Sequence, residues 1–532
     1  MKVRTILCFA LLWLGLVSVA QAQPVQPPTG FAIIGHIERF TLDQPASRTS
    51  AATLRVRGVD VRLPQNLVIT MPGGYLTAQQ LFKGRDLRST INANRSGLAL
   101  QDLRPADLAC PVTPEFAGRQ CPLPPAEVEV MGNIVNGVYL AGSVRISQGA
   151  LHLGGGFIRS FGADGSIVVG SEPGTGNNAA SARLKLNDPE GIYGRTQTTQ
   201  DQRFALDPGN SPVHARTGFP VCIPRGPSDA LCPSGNRPSD AAVKRFTCGE
   251  IPVQSGTGRI GAVALLGCKP HLPAPLREGD FVNYVGRLDK DAQGYFVSLH
   301  GLEAELGIYT SPGVEPAYVF IEEALEGTVG ERYADLPQEE TSRFKLIGFT
   351  TDPSRSVTVD IFDDDIDSSA LPPTAAPARL ATRLVPTTGA QLGRFKMIWS
   401  AKEDARVVRR AVRVTLSPGS SGGAQFAPGT NSVELGLPGA SRRGGYAYGS
   451  YEAPISEYIG PEATAFGIKG YQPPVPFENF CFLRRVNQLE TMEPHPTNAS
   501  QWINVNAGPL NPSPAARAQS QATSSGQRVC GD

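Results

Sequence analysis

The stretch "GDFVNYVGRLDKDAQGYFVSLHGLEAEL", residues 279–306, decides the fold class. Val282 and Tyr284 alternate with polar residues, and Leu288 continues the run after Gly286. A turn follows at Asp291 to Gly294, and Phe296 and Val297 lead out of it. A period of two places apolar side chains on one face of a sheet. Two such runs joined by a short glycine-containing turn predict a hairpin.

The same texture recurs upstream. "AEVEVMGNIVNGVYLAGSVRISQG" (126–149) carries an Asn-Gly hairpin signal, and "GGFIRSFGADGSIVVG" (155–170) turns at Ala163-Asp164-Gly165. In "AATLRVRGVDVRLPQNLVITMP" (51–72), Leu54, Val56, Val59 and Val61 alternate with Arg55, Arg57 and Arg62, and Gly58 marks a tight bend. "YLTAQQLF" (75–82) reads as one short helix, with Thr77 and Gln80 forming a capping box. "NDPEGIYG" and "AELGIYTSPG" echo one another near residues 194 and 313, which suggests diverged copies of a small Greek-key barrel of the OB type. From about 330, "RFKLIGFT", "SVTVDIF", "GRFKMIW" and "RRAVRVTLS" are strands at sandwich-like spacing. The 58 glycines and 46 prolines fit a chain with many turns.

The expected fold is therefore all-β: several small barrel or Greek-key (OB-like) modules followed by a β-sandwich-like region. The expected divisions are β modules at 30–125 and 126–200, a Cys/Pro-rich connection at 201–244 and an OB-like module at 245–330. A sandwich-like domain at 331–455 and a loop-rich tail at 456–532 complete the chain.

The chain opens with Lys2 and Arg4, an apolar run from Thr5 to Ala20, and the small-residue pattern Ala20-Gln21-Ala22. This is the layout of a secretory signal over residues 1–22, which predicts a secreted or periplasmic protein. No later segment has the length and apolarity of a transmembrane anchor. Of nine cysteines, all but Cys8 fall outside the leader. Eight cysteines in an oxidising compartment predict disulfides. The local pairing is Cys110–Cys121, Cys222–Cys232, Cys248–Cys268 and Cys481–Cys530; a pairing that crosses the middle four is the alternative. No CxxC occurs, so zinc has no support from the cysteines.

Charge excludes one class of partner. With 49 basic against 48 acidic side chains, the chain lacks the basic excess that nucleic acid binding demands. A polymer or a cell-surface component is the expected partner. The oligomeric state is not legible.

The acidic run "DIFDDDIDSS" (360–369) is the most conspicuous chemical feature. Asp363, Asp365 and Asp367 have the 1, 3, 5 spacing of a calcium loop, making calcium the one cofactor the pattern admits. However, Ser368 replaces the glycine of position 6, Thr374 replaces the glutamate of position 12, and Pro372 and Pro373 would stop an exit helix. A solvated loop at a strand end is the competing reading. The six histidines are scattered and form no His-x-His or His-Glu-x-x-His pattern. "SPGSSGGAQF", with Ser420 and Ser421, reads as a glycine-rich loop. Arg406, Arg409, Arg410 and Arg413 form a basic stripe with a solvated face as its default reading. Tyr284, Tyr295 and Phe296 could stack on sugars or pack internally.

The combination of "LRVRGVDVRLPQNLVITMP", "NDPEGIYG", "LGIYTSPGVEPAYVFIEEALEGT" and "LIGFTTDPSRSVTVDIFDDD" resembles a set of large secreted β-rich proteins of bacteria and filamentous fungi that have no assigned activity. The similarity runs over most of residues 30–455. It implies secretion and a multi-module β architecture, and it transfers no catalytic residue. The leading functional expectation is a non-catalytic binding or structural protein of the envelope or extracellular space. The alternatives are a hydrolase of polysaccharide or ester with dispersed carboxylates, Glu322 and Glu323 or the aspartates of 360–367 being first suspects, and a calcium-dependent adhesion protein.

Overall fold

The structure is a computed structural model. It describes residues 29–327, 344–399, 411–418, 448–459 and 492–504, apart from 66, 111–113, 115–116, 118–120, 136, 148–151, 176–179, 208–209, 250–262, 368–373, 388–391, 455–456 and 496–497.

The first unit is a closed barrel. Strands β1 (Thr29–Leu42), β2 (Ala52–Val56) and β3 (Val59–Leu63) form an antiparallel meander. Arg57 and Gly58 both take positive φ between β2 and β3, the backbone of a tight primed hairpin turn. The chain then makes a small hairpin, β4 (Val68–Met71) and β5 (Gly74–Thr77). After two 3-10 turns and one α-helical turn, α1 (Pro105–Leu108), it returns as β6 (Glu127–Val135) and β7 (Val138–Ile146). β6 pairs with β1, β7 pairs with β6, and β7 closes the ring by running parallel to β3 at Val61↔Tyr139. This is the five-stranded Greek-key barrel of the OB type.

The second unit repeats the scheme. β8 (Leu153–Phe161), β9 (Ile167–Gly170) and β10 (Ala180–Leu186) form the meander. A long excursion follows, holding β11 (Val213–Ala215), β12 (Val221–Cys222), β13 (Arg245–Cys248), β14 (Val263–Leu265) and β15 (Ala274–Pro275). The hairpin β16 (Phe281–Asp291) and β17 (Gly294–Ala304) then closes the barrel, β16 against β8 and β17 parallel to β10. β18 (Gly307–Thr310) lies beside β13.

Two four-stranded sheets make up the third unit. β19 (Val319–Gly327), β20 (Phe344–Thr350) and β23 (Arg394–Trp399) form one with β26 (Glu457–Ile459). β21 (Val357–Asp367), β22 (Thr374–Val385), β24 (Ala411–Leu416) and β25 (Ser450–Pro454) form the other. Val319, Ile321 and Leu346 of one share a buried cluster with Val357, Val359, Val412 and Val414 of the other, giving a sandwich core. A separate hairpin, β27 (Met492–His495) and β28 (Asn498–Asn504), lies in the tail.

The all-β expectation, with OB-like barrels followed by a sandwich, matches this architecture. Sheet connectivity groups the strands differently from the linear divisions, however. The 126–146 hairpin completes the first barrel, and the 281–304 hairpin completes the second. The reason is that each closure joins strands far apart in sequence, which local periodicity cannot register. The two "GIY" echoes are not equivalent: Tyr193 follows the third strand of barrel 2, whereas Tyr309 follows its fifth. The helix expected over 75–82 is only a 3-10 turn, yet its capping box forms: the Thr77 amide donates to Gln80 Oε1 at 2.8 Å and the Gln80 amide to Thr77 Oγ1 at 3.2 Å.

Three of the four expected disulfides are present, Cys110–Cys121, Cys222–Cys232 and Cys248–Cys268. Cys481 and Cys530 lie outside the described residues, as do the leader at 1–22, Ser420 and Ser421. Among the described residues no helix is long and apolar enough to cross a membrane.

Barrels 1 and 2 are wedged together by the loop after β10. Phe204 is fully buried in a cluster that holds the core residues of barrel 1, Leu81, Phe82 and Leu98 among them, together with those of the sandwich. Beside it, Arg203 Nη1 donates to the carbonyls of Leu81 at 2.5 Å and Ser96 at 2.6 Å. Asp201 anchors this loop by ion pairs to Arg203 at 2.7 Å and to Arg287 of β16 at 2.9 Å. Burial pushes the Asp201 carboxyl up, but the two guanidinium groups outweigh it and hold the group below its ordinary range.

Candidate functional site

Where barrel 2 meets the sandwich, one row of register partners crosses four strands: Gly155 on β8, Asn283 on β16, Glu303 on β17 and His214 on β11. Strand alternation explains the row. Val282, Leu302 and Ala304 point into the barrel and are buried, so Phe281, Asn283, Glu303 and Glu305 face outward.

The outer face is shaped by one small residue. A Cβ on Gly155 would lie 2.8 Å from Asn283 Oδ1 and 3.0 Å from Phe281 Cζ, so the glycine lets both side chains lie close over the β8 backbone. Phe281 packs edge-on against Phe157 with ring centroids 5.1 Å apart, and Leu153 stands 65% exposed at the end of the same strand face.

The sandwich supplies the other wall. His214 lies against Phe320 of β19, ring centroids 4.3 Å apart. Two residues further, β19 has a β-bulge between Ile321 and Glu323, and Glu322 is the extra residue. Bulges re-aim side chains, and Glu322 comes close enough to Glu303 to act on its ionisation.

Glu303 is the unusual group. Its carboxyl is pushed up to about 7, chiefly by burial, then by the negative charges of Glu305 and Glu322. Arg216 and a hydrogen bond from Asn283 oppose the shift without cancelling it. Arg216 is committed elsewhere: its Nη1 donates to Glu305 Oε2 at 2.9 Å. The site thus combines a carboxyl raised to about 7, a second carboxyl bonded to a guanidinium, an amide and two aromatic rings. Such a set can hydrogen-bond and stack on a polyhydroxylated chain, or exchange a proton with it.

Of the residues singled out in the sequence, only Glu322 joins this site. Its neighbour Glu323 pairs with Lys345 at 2.9 Å. Glu303, Asn283 and His214 gave no sequence signal beyond ordinary strand alternation. The aromatic trio does not form a platform: Tyr295 donates to the Pro122 carbonyl at 3.0 Å, Phe296 is buried beneath Arg183 and Lys185, and Tyr284 packs against the barrel core. Arg413 pairs with Glu452, while Arg406, Arg409 and Arg410 lie outside the described residues. The acidic run is not a strand-end loop. β21 continues through it to Asp367, with Asp363, Asp365 and Asp367 opposite Ala378, Ala376 and Thr374 of β22. The side chains of these three aspartates lie outside the described residues. Among the described residues no group of three His, Cys, Asp or Glu is placed to hold a metal.

The chain matches no protein-family model, no curated protein and no solved structure.

Proposed function

We propose that this is an exported binding protein of the envelope or extracellular space that seats a polysaccharide or cell-surface glycan at the junction of barrel 2 and the sandwich. The observation that carries this reading is the row Gly155–Asn283–Glu303–His214 flanked by Phe157 and Phe281, which offers stacking rings beside hydrogen-bonding groups on one continuous face. OB-type barrels host such ligands elsewhere, which is support by analogy of fold. Export is supported by the leader-like first 22 residues and the three disulfides.

A second reading is hydrolysis of a glycosidic bond. One observation favours it: Glu303, raised to about 7, is suited to donate a proton at neutral pH, with Glu305 and Glu322 beside it. The test is to incubate the mature protein with a panel of polysaccharides and envelope extracts, scoring retention and released sugar. Binding that Asn283→Ala and Phe281→Ala weaken, with no sugar released, supports the binding protein. Turnover abolished by Glu303→Gln replaces that reading with the hydrolase. Binding and turnover both untouched by these three changes would remove the site from either.

A further inference from the structure

Beyond ligand binding, the structure carries a contact between the barrels that is built beside one disulfide. Lys290, near the tip of the β16–β17 hairpin of barrel 2, extends its ammonium group into a loop of barrel 1. There Nζ donates to the carbonyls of Asp107 at 2.6 Å, Ala109 at 2.6 Å and Cys121 at 3.3 Å. An ammonium group has three N–H donors, and this cage satisfies all three. The Asp107 carboxylate is turned away to Arg104, so the cage consists of backbone oxygens alone. Tyr295 of the same hairpin donates to the next carbonyl, Pro122, at 3.0 Å.

Those acceptors come from both ends of one loop. Ala109 precedes Cys110, and Cys121 and Pro122 stand at the far end. The Cys110–Cys121 bond holds the two ends with Cα atoms 4.7 Å apart, and the Leu123 amide donates to the Asp107 carbonyl at 3.1 Å across the neck. Of the six cysteines in the three bridges, Cys110 alone is not buried, and it is flanked by exposed Leu108 and Ala109. A reductant therefore meets this bridge before Cys222–Cys232 or Cys248–Cys268.

We propose that Cys110–Cys121 is a redox-operated latch between the barrels: intact, it assembles the carbonyl cage that grips Lys290, and reduced, it lets the loop go. The reductant is a dithiol. Its thiolate attacks the sulfur of the half-buried Cys110 and forms a mixed disulfide while Cys121 leaves as a thiolate that takes up a proton. The second thiol of the reductant then displaces Cys110, so the dithiol ends as a disulfide and the protein as two thiols. The Phe204 wedge stays in place, so the outcome is a loosened contact rather than separated barrels.

The test follows amide hydrogen exchange in the whole mature protein, titrated with dithiothreitol under native conditions, with mass spectrometry to assign which bridge opens. Reduction of Cys110–Cys121 first, with exchange at 121–123 and 289–296 rising together by about tenfold or more, is the expected result. Lys290→Met is expected to reproduce that rise with every disulfide intact, and reduction then adds little. Because Lys290→Met leaves the covalent framework alone, it keeps the test valid even if Cys110→Ser/Cys121→Ser fails to fold. Opening of another bridge first, a loosened loop with an unchanged hairpin, or full protection in Lys290→Met would each overturn the proposal.

Discussion

Glu303 and Asn283 are directly opposite one another across the β16–β17 hairpin, yet the guanidinium of Arg216 bonds Glu305 and not Glu303. That arrangement leaves Glu303 costly to ionise. The folded-state carboxyl, at about 7, lies above its unfolded value, so between roughly pH 4.5 and 7 the folded state retains a proton that the unfolded chain has lost. Stability from this group is full at low pH and falls as pH rises through that window. Glu303→Gln is expected to match wild type near pH 4.5 and to exceed its melting temperature at pH 8 by about 2 °C or more. Equal melting temperatures at both pH values would remove the strain assigned to this carboxyl.

Histidines act in the opposite sense. Burial holds His214 and His300 down to about 4, and His300 Nδ1 is buried with no hydrogen-bond partner. As pH falls from about 6.5 to 4, the unfolded chain takes up protons that these rings refuse, and stability drops. His300→Gln should flatten the acid limb of a melting-temperature profile. A limb as steep as that of wild type would show that His300 contributes nothing to it.

The inter-barrel wedge can be measured by truncation. Phe204 is contributed by the excursion from barrel 2 but is buried in the cluster that holds the core residues of barrel 1 and the sandwich. Phe204→Ala is expected to cost about 3–5 kcal/mol in chemical denaturation, the usual range for an emptied aromatic site. Arg203→Met leaves Asp201 with Arg287 as its remaining ion pair and should cost a comparable amount, about 3 kcal/mol. A loss below about 1 kcal/mol for both would mean that the barrels do not rely on this loop.

Gly132 tests the barrel geometry. It lies on β6 opposite a bulge in β7, where Gly142 is the extra residue, and a Cβ there would lie 2.7 Å from the Phe31 ring and collide with the Leu140 carbonyl. Gly132→Ala is expected to destabilise by roughly 1–3 kcal/mol, read by urea midpoint, because backbone rather than a flexible side chain must yield.

Much of the local chemistry was legible in the sequence. Alternation gave the strands, Gly58 the tight bend, and short spacing the three described disulfides, because each of these depends on neighbours along the chain. The barrels' closures were not legible: Val61 meets Tyr139 and Leu184 meets Val297, and nothing local distinguishes those strands from any others. The acidic run misled because five aspartates in eight positions suggest solvent and a turn, whereas pairing with β22 and β24 keeps β21 extended. Glu303 was invisible because a lone glutamate on an alternating strand looks like any outward residue. Its character comes from Glu322, brought over by a bulge on another module.

The parallel pairing of β10 with β17 also orders events in time. The first three strands of barrel 2 are complete at Leu186, but the hairpin that seals them starts at Phe281, after the whole excursion with two disulfides. A contact so distant along the polymer incurs its loop-closure entropy before it is rewarded, and folding of this unit should be slow. In the interval the unsatisfied rims of β8 and β10 are open to mispairing with other nascent chains. A holding chaperone at that stage would matter more to the yield of native molecules than any added stability in the finished barrel.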